Sequence, residues 1–102
     1  MRRHLSPLKD IYLDGSRWKT GDDFYDSLFA ALGSPPWHGR NFDALRDSIM
    51  GGQINNVEQP FVLYLGGTNT IAAELKALIG GFIDLINAAK AEGYDVEIVF
   101  RD

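Results

Sequence analysis

The feature that most constrains this chain is a run of five apolar residues, Phe61-Val62-Leu63-Tyr64-Leu65, set between Pro60 and Gly66-Gly67. The run is too short for a globular helix, is bounded by chain breakers and is rich in β-forming side chains, so it reads as a strand. Unbroken apolar character, without alternation, marks a strand buried on both faces, the place of a central strand in a parallel sheet. Parallel neighbours need long crossover connections, and these are usually helices. The run therefore predicts helical segments before and after it, with a further strand towards each end of the chain.

The flanking sequence supplies them. Ile11-Tyr12-Leu13, closed by Asp14-Gly15, reads as the first strand. Thr20 caps a helix with Asp22 and Asp23 in its first turn, where acids meet the positive end of the dipole. Phe24, Leu28 and Leu32 recur every four residues, Tyr25 and Phe29 widen the stripe, and Gly33 is the stop. Ser34-Pro35-Pro36 cannot continue that helix, so the loop to Arg40 is expected to expose Trp37 and His38. Asn41 caps a second helix that buries Phe42, Leu45 and Ile49 and ends at Gly51-Gly52; a polar loop covers residues 53–59.

After the central run, Gly66-Gly67-Thr68-Asn69-Thr70 turns the chain into a helical pattern of Ile71, Leu75, Leu78, Ile79, Phe82, Leu85 and Ile86. Gly80-Gly81 interrupts it, leaving open a kink or two separate helices. Gly93 stops it, and Tyr94, Val96, Ile98 and Phe100 alternate along a last strand with one buried face. The fold class is α/β, a three-stranded parallel sheet packed with three or four helices and joined by right-handed crossovers. At 102 residues the chain fits one domain, with residues 1–8 as a flexible start.

Composition narrows the function. A chain this short, 45% hydrophobic and 24% charged, builds one core with little room for an enclosed substrate cavity, which favours a binding module over an enzyme. The absence of cysteine excludes disulfides and thiolate chemistry, and His4 and His38 are too few for a His-rich metal site. Arg2 and Arg3 open the chain as a signal peptide would, but no apolar stretch follows, so a cytoplasmic location is expected. The net charge of −4 is uneven: residues 1–20 carry +3 and the rest −7. An acidic body repels phosphates and disfavours nucleic acid, but speeds the approach of a basic partner.

One segment concentrates the signal, Pro36-Trp37-His38-Gly39-Arg40-Asn41-Phe42-Asp43-Ala44-Leu45-Arg46-Asp47. Asp43 and Asp47 are four residues apart on the second helix and so share a face. Their mutual repulsion costs an isolated helix about 0.2–0.5 kcal/mol. With Phe42, Leu45 and Ile49 buried, both carboxylates are expected to face outward beside Trp37. Two anions about 5.4 Å apart along a helix can imitate neighbouring RNA phosphates, and aromatic anchors beside charge are what protein interfaces enrich.

The motif Pro-x-aromatic-aromatic-Gly-x-Asn-hydrophobic-Asp-Ala-Leu-x-Asp, present as PPWHGRNFDALRD, resembles the barstar family of ribonuclease inhibitors. The resemblance extends to Ile11-Tyr12-Leu13-Asp14-Gly15, to the DFY helix, to Pro60-Phe61-Val62-Leu63 and to the closing AKAEGYDVEI. It implies a barstar-like fold and an inhibitor or immunity protein that inserts its second helix and the preceding loop into a ribonuclease active site. Carried over by position, Trp37 is the stacking aromatic and His38 the second loop aromatic. Gly39 allows close backbone approach, Asn41 starts the helix, and Gly51 lies at the far rim. Asp43 and Asp47 are the recognition carboxylates, Asp47 as the phosphate mimic. Phe42 and Arg46 complete the candidate partner-binding set. The implied partner is a basic extracellular-type, barnase-like ribonuclease or related toxin, bound one to one by a monomer, without cofactor, metal, membrane or direct nucleic-acid contact. Several positions depart from the family pattern: Arg46 replaces a tryptophan and stands three residues from Asp43, where it can pair with it; His38 is the second loop aromatic; Gly52 replaces an aromatic; and Ala88 replaces a glutamate.

Other readings of these residues are plain. The aspartates can be a solvated helix face, Trp37 a cover for the core edge, Asn41 only a cap and Gly39 a turn with positive φ. His38 near carboxylates invites acid–base chemistry, but no nucleophile or metal-ligand spacing accompanies it. The Gly66–Thr70 turn can cradle phosphate, though it lacks the lysine and spacing of a P-loop. The Phe82, Leu85 and Ile86 stripe is either core or a dimer face. A barstar-like scaffold binding a basic non-nuclease protein as an adaptor is the alternative function.

Overall fold

A computed structural model describes residues 8–101. The expected flexible start, with Arg2, Arg3 and His4, falls outside them except for Leu8. Three strands, β1 (Lys9–Asp14), β2 (Phe61–Gly66) and β3 (Val96–Phe100), form one parallel sheet in the order β1-β2-β3. The apolar run is the central strand, as its composition requires. In register, Ile11, Leu63 and Ile98 line one face of the sheet, and Tyr12, Tyr64 and Val99 the other.

Helices α1 (Gly21–Leu32), α2 (Phe42–Arg46) and α3 (Ala73–Ala91) link the strands. A capping box starts α1: Thr20 Oγ1 accepts from the Asp23 N–H, while Asp23 accepts from the Thr20 N–H. The Lys19 and Thr20 N–H groups hold the Asp23 carboxyl below its ordinary pKa of 3.8. Gly33, left-handed at φ 65°, ends α1. Phe24, Leu28 and Leu32 from α1 meet Leu75, Ile79, Phe82 and Ile86 from α3 and the Ile11–Leu63 face of the sheet in one core.

The core cluster sits on one side of the sheet, yet β2 is covered on both faces, as its unbroken apolar run predicts. Val62 is buried without joining that core, and Tyr64 is covered by Tyr12, stacked at 5.0 Å, and by the Arg101 guanidinium at 5.4 Å. Apolar character on the second face is thus covered by neighbouring side chains of the sheet. Burial also fades along β3, from Val96 at 0% exposed to Phe100 at 59%. β3 is an edge strand, so its last residue has neighbours on one side alone.

Gly80-Gly81 does not divide α3, which is continuous over Ala73–Ala91. A Cβ on Gly81 would lie 2.6 Å from the Phe42 ring, so the missing side chain lets α2 pack closely on α3 here. The Gly66–Thr70 turn does not present a phosphate cradle. Gly67, at φ 70°, packs on Asp14 and Ser16, putting a carboxylate where an anion would bind, and α3 starts only at Ala73. Among the described residues no helix is long and apolar enough to cross a membrane, and no acid, histidine and cysteine cluster suits a metal ion.

Candidate protein-binding surface

The surface is built on a loop that the proline pair prevents from becoming helix. Its base is fastened to the polar segment before β2: the Asn56 and Val57 N–H groups donate to the Gly33 and Leu32 carbonyls, and the Ser34 hydroxyl donates to Asn55 Oδ1 at 2.6 Å. Its far end is fastened to α1. Arg40 donates to Asp22 at 3.2 Å and to Asp26, and its guanidinium lies 5.7 Å above the Phe29 ring. These carboxylates raise the Arg40 pKa further, so it stays cationic. Arg40 carried no signal in the sequence, because its partners are 14 and 18 residues earlier.

His38 corrects the expectation that both loop aromatics are exposed. It is buried at 7% exposure, 4.5 Å from Phe29. Nδ1 donates to the Gly39 carbonyl and Nε2 is hydrogen-bonded to Ser48 Oγ, both at 2.8 Å, while the Ser48 hydroxyl also reaches the Leu45 carbonyl at 3.2 Å. The ring ties the loop to the turn that follows α2. Ser48 was not singled out in the sequence; its signal is its place three residues after Leu45, on the buried face.

Trp37 behaves as expected, with 73% of its surface in solvent. Gly39 does not have positive φ, which corrects the turn reading. A Cβ there would lie 2.9 Å from the Asn41 amide nitrogen and 3.2 Å from Ala44, so the missing side chain leaves room for the cap. Asn41 Oδ1 accepts from the Ala44 N–H at 2.7 Å and starts α2. Phe42 is half-buried against α3, an inward anchor and not a free contact. Leu45, Ser48 and Ile49 fix the opposite flank, and a π-helical turn over Asp47–Gly51 continues α2. Gly51 is exposed, and a Cβ at that position would meet nothing within 4 Å.

Asp43, Arg46 and Asp47 are all exposed. None has an ion pair or side-chain hydrogen bond among the described residues, so the expected Arg46–Asp43 pairing does not form. Asp22 and Asp26 share the single positive charge of Arg40, while Asp43 and Asp47 have no cationic partner among the described residues. Asp47 and Trp37 border a shared recess of about 130 Å³, floored by His38, Gly39, Ala44 and Ile54. An aromatic wall and a carboxylate on one recess can receive a cationic side chain with its apolar stem, as interface hot spots do. Ile54 and Ala44 were likewise not singled out, since only folding brings residue 54 to the loop.

A family model described as Barstar (barnase inhibitor) matches residues 8–101, nearly the whole chain. A search of curated proteins gives no match.

Proposed function

The chain belongs to the barstar family, and from that membership we propose that it inhibits a small basic ribonuclease by filling the enzyme's active site with α2 and the preceding loop. The observation that carries the reading is the pair Asp43 and Asp47, held outward without partners among the described residues beside an exposed Trp37. Phosphate-binding Arg, Lys and His groups of a ribonuclease are the natural counter-charges for such a pair. Asp47, on the Trp37 recess, takes the place of a phosphate; Trp37 packs on the rim; Gly51 lies at the edge. His38 and Phe42 act beneath the surface, holding the loop and helix in position. No bond is made or broken. The inhibitor works by occlusion, as a monomer in a one-to-one complex, and acts in the cytoplasm.

The test is inhibition of a panel of small basic ribonucleases by the purified chain, repeated with Asp47→Ala. Removing one member of a desolvated charge pair strands its partner, at about 3–5 kcal/mol. Inhibition is expected to weaken at least about 100-fold. An unchanged inhibition constant overturns the role given to Asp47.

The adaptor reading rests on a separate observation. Arg46, exposed and unpaired among the described residues, stands between the two carboxylates and makes the surface mixed in sign. A pull-down that recovers a basic protein without nuclease activity, and no ribonuclease, would favour it.

A further inference from the structure

An apolar cleft of about 330 Å³ opens at the carboxyl ends of the strands, between the turn after β2, α3 and Phe100 of β3. It shares no residue with the Trp37–Asp47 recess. Ile79, Ile83 and Phe100 form its walls; Asn69 and Lys76 stand at its polar edge. Lys76 is exposed and has no ion pair among the described residues.

Gly80 is the informative wall residue. Glycine inside a helix is destabilising relative to alanine, so its presence asks for a reason. Gly81 has one, the Phe42 ring 2.6 Å from where its Cβ would be, but a Cβ on Gly80 would meet nothing within 4 Å. Packing therefore does not require the second glycine, and the effect of its missing side chain is to keep the cleft open. Phe100, 59% exposed, adds an aromatic edge to the same space.

We propose that this cleft binds a small amphipathic carboxylate, its apolar body against Ile79, Ile83 and Phe100 and its anion at the Lys76 ammonium. The volume lies at the low end of small-molecule sites, which span about 300–1,000 Å³. A protein interface buries about 800 Å² a side, a broader footprint than this concave space offers.

Phenylbutyrate and its neutral amide are suitable probes, followed by amide-resolved NMR titration of the whole chain. Saturable shifts at Asn69, Lys76, Gly80 and Phe100 are expected with phenylbutyrate, with a Kd on the order of 1 mM for about twelve heavy atoms. Lys76→Gln is expected to weaken phenylbutyrate about two- to fivefold, the range of an exposed ion pair, and to leave the amide unaffected. Gly80→Leu fills the cleft and is expected to weaken both probes more than about tenfold; Gly80→Ala, if the larger side chain disturbs folding, gives a smaller loss in a native spectrum. Neither Gly80 variant should alter ribonuclease inhibition. Shifts absent at saturating probe, or unchanged binding in a natively folded Gly80→Leu, overturn the site. Equal loss of acid and amide in Lys76→Gln overturns the anion assignment. Resonances of the cleft that move only on adding a ribonuclease make it a protein contact and remove the small-molecule assignment.

Discussion

Trp37 and Asp47 border one recess, yet neither contributes much to holding the fold, and this separation makes the surface testable at single residues. Trp37 leaves 73% of its area in solvent. Trp37→Ala is therefore expected to change folding stability by no more than about 0.5 kcal/mol in chemical denaturation. Loss of a hot-spot aromatic from an interface typically removes about 2 kcal/mol or more, so inhibition should weaken about thirtyfold in the same variant. His38→Ala should behave differently, because it removes a buried ring that packs on Phe29 and joins the Gly39 carbonyl to Ser48. Asp23 provides a prediction in pH. Its folded pKa is lowered, so the stability it adds is complete above its unfolded value of 3.8 and disappears as pH falls through the folded value. The stability gap between wild type and Asp23→Asn, followed by denaturation at stepped pH, should shrink below about pH 4 and not at neutral pH.

The two adjacent glycines of α3 separate helix propensity from helix packing. Gly80→Ala places its Cβ in open space, so it should raise stability by about 0.8–1 kcal/mol. Gly81→Ala gains the same propensity but drives its Cβ into the Phe42 ring. Overpacking of about 1–3 kcal/mol should make that variant a net loss, and because Phe42 opens α2 it should also weaken inhibition. Thermal or urea unfolding of the pair checks the sign. Elements with local signals were legible in the sequence: the caps Thr20 and Asn41, the stop at Gly33 and the strand character of Phe61–Leu65 follow from neighbours within four residues. The continuity of α3 through Gly80-Gly81 was not, since a glycine pair breaks an isolated helix and is tolerated in one that Phe42, the sheet and α1 clamp along its length.

Across the whole molecule, the formal charge of −4 on a surface where Asp43 and Asp47 are unmatched predicts steered association. Stopped-flow association with a ribonuclease that the chain inhibits should slow by about tenfold or more between 50 and 500 mM salt, while dissociation changes less. A salt-independent association rate would contradict electrostatic capture. The one-sided core also has a consequence at this scale. With α1 and α3 on one face, the other face carries the Tyr12–Tyr64 stack and Arg101, and α2 lies away from it on the helical side.

The sequence alone determined the parallel sheet with β2 at its centre, the caps of α1 and the start of α2, and the exposed placement of Asp43 and Asp47 four residues apart, because each follows from chain-local periodicity, capping and breakers. The tertiary structure alone decided that His38 turns inward to Ser48, that Arg40 reaches Asp22 and Asp26 instead of leaving them free, that Arg46 does not pair with Asp43, and that Ile54 joins Trp37 at one recess. Those outcomes depend on contacts between residues distant in the chain, where burial, desolvation and competing partners set the side-chain position and local pattern carries no information.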